Sequence, residues 1–268
     1  MNIFEKELTD NYMAASRRNR VVIHDITLLA GMVKHGIMPR SVILGTGSEA
    51  KSLEPVIRAL GLDVPVHRAP EEQVAAFLRE KTGKKIKPYA LSALVEVPVE
   101  PFTEETLADF RRVVMLKNVR LVLNIARIIN LCDWFGADAL LLSESSACPF
   151  VPRITDLTEY RNLELPVVIF PDRAEEYMPV LHGCGFKVIG TALGSEAIGP
   201  EALREFSDER TALLFGNETF GLYEEDIEMC DHVVRIPIAE GIDSLNVAEA
   251  CGIALYELTS RDLAEKEL

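Results

Sequence analysis

Polar side chains that could do chemistry cluster in three stretches of the C-terminal half, each beside an apolar run. The stretches are NIARIINLCDWFGADALLLS (124–143), LLFGNETFGL (213–222) and RIPIAEGIDSLNVAEACGIALYE (235–257). Continuous apolar runs such as RRVVML and TALLFG are typical of strands that are covered on both faces in a parallel sheet. Ligands of open α/β sheets bind beyond the carboxyl ends of such strands. The three stretches therefore predict a ligand site built from Asn, Glu, Ser and Gly.

Glycine and proline mark the ends of two of these strands. Gly216 allows a sharp turn or a close approach of the backbone to a ligand, and Pro237 cannot donate to a strand ladder. Glu218 follows the first strand, where a surface turn is the alternative role for its carboxylate. Ser244 and Asn246 open an apolar helix. An N-cap explains one of these two residues and leaves the other for function.

The rest of the chain alternates short apolar runs with helical patterns, which predicts an α/β fold with a largely parallel sheet. The segment EVPVEPFTEET (96–106) reads as a linker because it combines two prolines with four glutamates. The charge balance also changes there. Residues 1–100 hold 14 Lys and Arg against 12 Asp and Glu, whereas residues 101–268 hold 14 against 30.

The three polar stretches resemble the motifs of the SpoU (TrmH-type) branch of the SPOUT RNA methyltransferases. The family motifs are NxGxxxRxxxxxG, GxExxG and IPxxxxxxSLNVxxAxxI. This chain has NIARIIN followed by Gly136, then GNETFG, and then Ile236 and Pro237 followed by SLNVA. The resemblance extends over residues 112–258. Residues 16–98 resemble, more weakly, the ribosomal-protein-like RNA-binding domain that often precedes SpoU domains.

The resemblance implies a SPOUT-type parallel sheet with a deep trefoil knot, preceded by a small ribosomal-protein-like α/β domain. We expect an RNA-binding domain over residues 1–98, a linker over 99–108 and a methyltransferase domain over 109–268. The implied activity is S-adenosylmethionine-dependent 2'-O-methylation of ribose in RNA. Ribosomal RNA is favoured over transfer RNA as the substrate. The implied assembly is a homodimer that shares the active site across its interface.

The same resemblance implies roles for individual residues. Methyl transfer from a sulfonium is an in-line displacement that needs correct positioning and an activated oxygen but no metal. The residues expected to hold the cofactor are Leu214, Gly216, Ile236, Ile238 and Leu245. The catalytic candidates are Asn124, Arg127, Asn130, Glu218, Ser244 and Asn246.

Asn130 occupies the position of the arginine in the first family motif. A neutral amide serves neither as a cation nor as a base near neutral pH. Arg127 lies three residues earlier on the same helical face and is either a replacement or a surface arginine. One hypothesis is an active methyltransferase that uses Arg127 or a residue of the partner subunit. The alternatives are a catalytically silent RNA- or cofactor-binding relative and a generic nucleotide-binding α/β protein, although no glycine-rich phosphate loop supports the last.

Two basic clusters in the N-terminal part could bind RNA although the chain carries a net charge of −14. A local basic surface binds phosphates independently of the overall charge, and solvated surface charge is the alternative explanation. The candidate RNA contacts are Arg17, Arg18, Arg20, Lys84, Lys85 and Lys87.

Cysteine usage and hydropathy exclude several other classes of protein. The five cysteines are scattered and never spaced CxxC, which argues against a disulfide framework or a zinc site. Reduced thiols indicate a cytoplasmic protein. The N-terminal MNIFEKELTD has no apolar signal segment, and no apolar run reaches about 18 residues, so we expect no membrane span.

Overall fold

A computed structural model describes residues 20–82, 85–192, 197–240 and 244–266 of the chain. Backbone contacts divide the chain into two compact units. The first comprises Met1–Pro98 with Phe150–Asp156, and the second comprises Val99–Pro149 with Leu157–Leu268. The boundary after Pro98 falls where the sequence becomes acidic.

In the described residues up to Pro98, the first unit contains a four-stranded sheet and three helices. Its strands are β1 (Arg20–Ile23), β2 (Pro39–Leu44), β3 (Val66–Arg68) and β4 (Leu91–Glu96), and its helices are α1 (Ile26–Lys34), α2 (Ser48–Ala59) and α3 (Glu71–Thr82). The strand order is β1-β4-β2-β3. Because β4 lies between β1 and β2 and runs antiparallel to both, this sheet is mixed rather than largely parallel.

The run VVIHDI (21–26) contains the end of β1 and the first residue of helix α1. The strand ends at Ile23, and the Asp25 side chain accepts a hydrogen bond from the Leu28 N–H at 2.9 Å. That N-cap satisfies a free donor of the first turn and starts the helix at Ile26. Leu29 is then buried against the sheet.

The second unit is a seven-stranded sheet in the order β11-β9-β10-β6-β7-β8-β5. Its strands are β5 (Glu100–Pro101), β6 (Arg112–Leu116), β7 (Ala139–Ser143), β8 (Val167–Phe170), β9 (Lys187–Thr191), β10 (Thr211–Phe215) and β11 (His232–Val234). Every described pairing is parallel. All positions of β6, β7 and β10 are buried, which confirms strands that are covered on both faces in an α/β fold.

Helices connect these strands and cover the sheet. They are α4 (Glu104–Leu107), α5 (Val122–Phe135), α7 (Ala174–Gly183), α8 (Glu224–Glu228) and α9 (Val247–Lys266), with 3-10 helices at Arg161–Leu163 and Pro200–Phe206. Helix α6 (Pro152–Leu157) follows β7 in the chain, and its residues up to Asp156 belong to the first unit. The predicted linker, residues 99–108, is structured: β5 pairs with β8, and Leu107 of α4 is fully buried. Pro101 is tolerated because β5 is the edge strand of the sheet.

Helices α5 and α9 pack side by side in parallel, with a nearly constant offset in sequence. The contacts along this interface are Asn124 with Asn246, Arg127 with Glu249, Leu131 with Gly252 and Phe135 with Tyr256. A side-chain carbon at Gly252 would lie 3.3 Å from Leu131, so the glycine permits the close approach. The first and third sequence motifs are thereby brought together at the start of both helices.

A buried ion pair fixes the loops at the carboxyl edge of the large sheet. Lys117 follows β6 and is only 2% exposed, and its Nζ lies 3.2 Å from Asp226 Oδ1 in α8. Lys117 also donates to the Asp172 carbonyl after β8. The Tyr177 hydroxyl donates to the same Asp226 oxygen at 2.6 Å, and burial together with this carboxylate raises the pKa of Tyr177. A satisfied network of this kind holds the loops rigidly in place.

Two cysteines serve packing rather than chemistry. Cys132 in α5 and Cys251 in α9 are free thiols and are buried completely. Burial raises the pKa of both thiols, which keeps them protonated and inert. In the described part of the chain, no helix is both long enough and apolar enough to span a membrane.

Candidate functional site

A cavity of about 440 Å³ lies at the carboxyl ends of β9, β10 and β11, which are neighbours in the sheet. Its volume is in the range of small-molecule sites, and its position is the one that open α/β sheets use for ligands. The lining combines apolar side chains with a similar extent of polar groups. It includes Thr191, Gly216, Glu218, Phe220, Ile236, Ile238, Ser244 and Leu245.

The loop GNETFG, residues 216–221, closes on itself at the mouth of this cavity. The Asn217 N–H donates to the Gly221 carbonyl at 2.9 Å, and the Gly221 N–H donates back at 2.8 Å. A side-chain carbon at Gly216 would lie 2.0 Å from the Gly221 carbonyl carbon, so only glycine fits there. Gly221 has a φ of +70°, in the left-handed region that favours glycine. Closure of the loop therefore requires glycine at position 216 and a residue that tolerates left-handed backbone at position 221.

Asn217 organises the interior of the loop and was not identified from the sequence. Its Oδ1 accepts from the N–H groups of Thr219 at 2.9 Å and Phe220 at 3.3 Å. Its Nδ2 donates to the Asn118 carbonyl at 2.8 Å, which joins the loop to the residues after β6. An asparagine beside a turn glycine was the available signal, because asparagine bonds the backbone two residues on.

Glu218 caps the start of helix α5 from a distant part of the chain. Its Oε1 accepts from the Leu121 N–H at 3.0 Å and from Asn124 Nδ2 at 3.1 Å, and its Oε2 accepts from the Arg120 N–H at 3.4 Å. Leu121, at the N-cap position, has no side chain that could satisfy these donors. The carboxylate does so instead, and its negative charge is favourable at a helix N-terminus.

The ionised form of Glu218 is the one that this environment favours. Burial alone would raise the pKa of its carboxyl. The hydrogen bonds from Leu121, Asn124 and Arg120 outweigh burial and hold the pKa below its usual value. Glu218 is therefore a carboxylate at neutral pH, and it is a fixed acceptor rather than a base for proton transfer.

Asn124 and Asn246 extend this polar chain from the first motif to the third. Asn246 Nδ2 donates to Asn124 Oδ1 at 3.0 Å, and Asn246 Oδ1 accepts from the Ala248 N–H at 2.8 Å. Asn246 is thus the N-cap of α9, as predicted for one of the two polar residues, and is also a member of the site. Asn124 is only 3% exposed, so it positions its neighbours, whereas exposed Ser244 lines the cavity.

Arg127 and Asn130 do not join the polar chain. Arg127 lies one turn further along α5 and forms an exposed ion pair with Glu249 at 3.1 Å. Asn130 is six residues after Asn124, which places it about 9 Å along the axis and on another face. Its Nδ2 donates to the Leu157 carbonyl at 3.3 Å, and its buried Oδ1 has no partner among the described residues.

Four of the five residues expected to hold the cofactor line the cavity, and Leu214 does not. Leu214 is fully buried in the apolar core of the sheet, and its carbonyl accepts from Thr191 Oγ1 at 3.3 Å. Its position on β10, one residue before the last, directs its side chain into the core. The cavity residues of this set are Gly216, Ile236, Ile238 and Leu245.

The predicted RNA contacts are only partly within the described residues. Lys85 and Lys87 are exposed in the segment between α3 and β4, and Arg20 begins β1. Arg17, Arg18 and Lys84, together with the side chain of Arg20, lie outside the described residues. Across residues 20–82, 85–192, 197–240 and 244–266, no group of three or more His, Cys, Asp and Glu side chains could hold a metal ion.

The fit of Gly216 against Gly221 can be tested by adding one carbon. We expect Gly216→Ala to lower the free energy of unfolding by about 1–3 kcal/mol, because the new methyl group would collide with backbone. The matched control is Gly221→Asn, since nothing lies within 4 Å of a side-chain carbon there and asparagine tolerates left-handed backbone. Urea denaturation measures both variants. Wild-type stability of Gly216→Ala would contradict this account of the loop.

Capping by Glu218 predicts a stability that depends on pH. Because the folded-state pKa is lowered, the carboxylate stabilises the protein above the ordinary pKa of 4.5, and this contribution disappears as pH falls through the lowered value. We expect Glu218→Gln to cost about 1 kcal/mol near neutral pH and almost nothing in acid. Urea denaturation across this pH range is the measurement, with exposed Glu225→Gln as the control. A cost that does not change with pH would exclude a role for the charge.

Comparisons with known proteins agree with this geometry. A sequence profile of the SpoU rRNA methylase family matches residues 111–256. An uncharacterised tRNA/rRNA methyltransferase of Mycobacterium bovis is 29% identical over 240 residues, covering 89% of this chain and 80% of the relative. A 23S rRNA (uridine(2479)-2'-O)-methyltransferase of Streptomyces viridochromogenes is 25% identical over 254 residues, covering 93% of this chain and 86% of the relative.

A solved structure shows the same fold. The AdoMet-bound rRNA methyltransferase from Sinorhizobium meliloti superposes with a TM-score of 0.67 at 20% identity, over 97% of this chain and 95% of that chain. The profile match spans more than half of the 268 residues and contains both glycines of the closed loop and the Glu218–Asn124–Asn246 chain. This chain therefore belongs to the SpoU rRNA methylase family.

Proposed function

We propose that this protein is an S-adenosylmethionine-dependent RNA 2'-O-ribose methyltransferase that acts on ribosomal RNA. The observation that carries the proposal is the polar chain from Glu218 through Asn124 to Asn246, fixed at the mouth of a cavity of ligand size. Family membership supports methyl transfer to RNA. The 2'-O position and ribosomal RNA are supported by the named activity of the Streptomyces relative.

The residues of the cavity fit S-adenosylmethionine. Gly216 lines the cavity directly after β10 and contributes only backbone to its wall. Ile236, Ile238 and Leu245 supply apolar surface on the opposite segments, which suits an adenosine and the methylene groups of methionine. When bound, the cofactor would supply an electrophilic methyl group carried on a sulfonium.

The residues of the polar chain would orient the ribose rather than exchange protons with it. The Glu218 carboxylate is occupied by three donors, and it fixes the amide of Asn124. Asn124 in turn fixes the amide of Asn246, and Ser244 presents a hydroxyl at the cavity two residues before it. An amide and a hydroxyl held in this way can bind the ribose hydroxyls, and correct placement is the main requirement of a displacement reaction.

A catalytically silent RNA- or cofactor-binding relative is the second candidate function. The observation that favours it is Asn130, which stands where the first family motif has arginine and bonds only the Leu157 carbonyl. In the active alternative, a side chain of the partner subunit would complete the site. The two candidates share the cofactor cavity and differ in turnover.

Cofactor binding and methyl transfer separate these possibilities. We expect calorimetry to show that wild type binds S-adenosylmethionine and S-adenosylhomocysteine in preference to ATP. Leu245→Arg should abolish this binding, because it places an unpaired charge among apolar groups of the cavity. Met38→Arg, at an exposed position of the first unit, is the control and should bind normally.

Labelled methyl transfer to protein-free ribosomal RNA, followed by nucleoside analysis, then tests activity. We expect a 2'-O-methylated nucleoside with wild type and none with Leu245→Arg. Selective cofactor binding without turnover on any RNA would favour the silent relative. Equal binding of ATP would contradict the proposed cofactor.

We also propose that the protein is a homodimer formed through the α5–α9 face, defined by Leu123 and Trp134 of α5 and by Ile253 and Tyr256 of α9. These apolar side chains are exposed, with Trp134 at 62%, and helical periodicity places each pair on one side of its helix. Exposed apolar patches of this kind mark association sites. The face adjoins the polar chain because α5 and α9 both begin there, so a twofold partner would lie close to the site.

The dimer is tested by sedimentation of wild type and Ile253→Glu. We expect wild type to sediment as a dimer and the variant as a folded monomer, because a carboxylate would be buried at the twofold interface. Met38→Glu introduces the same charge at an exposed position of the first unit and should remain a dimer. A monomeric wild type would contradict the proposal.

The knot and the RNA-binding role of the first unit complete the proposal. The support for the knot is that the chain leaves β11, contributes Ile236 to the cavity and continues into α9 against α5. The support for RNA binding is the exposed pair Lys85 and Lys87, in a unit that is far less acidic than the second.

A further inference from the structure

The guanidinium of Arg120 is held in place by a hydrogen bond but has no acidic partner among the described residues. It is exposed two residues before α5, and its Nε donates to Asn118 Oδ1 at 2.8 Å. Its backbone N–H donates to Glu218, which ties it to the polar chain. Its terminal amino groups have no hydrogen bond or ion pair within the described ranges. The fork of a guanidinium is therefore available to a ligand.

Asn118 is built to hold that arginine. It has a φ of 55°, in the left-handed region that few residues other than glycine adopt. Its N–H donates to Ser143 Oγ at 2.9 Å, its carbonyl accepts from Asn217, and its Nδ2 donates to the Tyr223 hydroxyl at 3.2 Å. Only its Oδ1 is left, and it accepts from Arg120. Asparagine tolerates this left-handed backbone, and the bonds to its other polar groups hold its side chain in a defined position beside Arg120.

Two other exposed arginines of the second unit are ion-paired. Arg127 is paired with Glu249 at 3.1 Å on the surface of α5 and α9. Arg173, which follows β8 at the same edge of the sheet, is paired with Glu175 and lies 3.6 Å from Glu176. Arg120 is thus distinguished from both by the absence of an acidic partner.

An exposed aromatic ring stands on the loop that contacts Arg120. Phe220 is 75% exposed at the tip of GNETFG and also lines the cavity. Its backbone is fixed because its N–H donates to Asn217 Oδ1 at 3.3 Å, and Asn217 also binds the Asn118 carbonyl. A ring and a guanidinium held by one network form the combination that proteins use for single-stranded nucleic acid.

We propose that Arg120 and Phe220 form a nucleotide-holding subsite at the mouth of the cavity, in which Arg120 binds a phosphate beside the target ribose and Phe220 stacks on a base. This inference rests on the proposed function. Residues 101–268 hold 14 basic against 30 acidic side chains, so RNA approaching the cavity meets a repulsive surface. A fixed guanidinium at the mouth provides local attraction and matches two phosphate oxygens.

The two halves of the subsite predict different effects on RNA binding. The probe is a fluorescein-labelled single-stranded RNA of roughly 12 nucleotides, measured by anisotropy over a KCl series. Arg120→Gln should weaken binding about tenfold and lower the slope of log affinity against log salt by about 0.7, the value for one lost phosphate contact on a single strand. Arg120→Lys should restore the slope because it restores the charge.

Phe220→Ala should weaken binding about tenfold at every salt concentration without changing the slope, since stacking releases no counterions. Phe220→Tyr should bind like wild type. The control is Arg173→Gln, an exposed and ion-paired arginine at the same sheet edge, which should leave affinity and slope unchanged. Calorimetric affinity for S-adenosylmethionine should be that of wild type in the variants of Arg120 and Arg173, neither of which lines the cavity.

The outcomes separate this subsite from the proposed activity. A wild-type slope for Arg120→Gln, or the same loss of slope for Arg173→Gln, would overturn the phosphate contact, and unchanged affinity of Phe220→Ala would overturn the stacking contact. A wild type that binds RNA through both residues yet transfers no methyl group would refute the activity and leave the subsite standing. If Arg120→Gln and Phe220→Ala methylate RNA as efficiently as wild type, the activity stands and the subsite is refuted. A wild type that binds no RNA would also overturn the subsite.

Discussion

The Glu218 carboxylate is the point at which three distant segments of this protein meet. It satisfies the backbone donors at the start of α5, which the sequence there cannot cap, and it orients Asn124. Asn124 then orients Asn246 at the start of α9. Because each bond fixes the donor or acceptor of the next, the loss of one charge would release the starts of both helices. The site is therefore an extension of helix capping, and its geometry is as rigid as the secondary structure that it joins.

The cavity beside this carboxylate is shaped by the closed glycine loop and by the packing of α5 against α9. Gly216 is required because the loop packs against the backbone of Gly221, and Gly221 adopts the left-handed conformation that closes the loop. The parallel packing of α5 and α9 aligns the first and third motifs in register. It also leaves Leu123, Trp134 and Tyr256 exposed, which joins the proposed dimer face to the site. Positioning of ligand and partner thus depends on one helix pair.

Electrostatics explains how an acidic unit could still receive RNA. The second unit is strongly acidic, and Glu218 adds an ionised carboxylate at the cavity itself. The hydrogen bonds that this carboxylate accepts stabilise its charge. Arg120 adds a positive charge two residues before α5. Ion pairing decides which arginines keep a free charge. Arg127 is paired and Arg120 is not, although the sequence around Arg127 looked more relevant to the site.

The sequence by itself determined the strands of the large sheet, since β6, β7 and β10 are mostly apolar and are buried at every position, and it determined the three motifs with their glycines and a helix cap at Ser244 or Asn246. Those features depend on neighbouring residues in the chain and on apolar runs, so the local pattern of residue types predicts them. Only the tertiary structure decided that β4 inserts antiparallel, that residues 99–108 join the second unit, and that Leu214 faces the core. The bond between Glu218 and α5, nearly a hundred residues apart, and the free charge of Arg120 were likewise decided there. Each depends on which residues meet in space, and no local pattern encodes that.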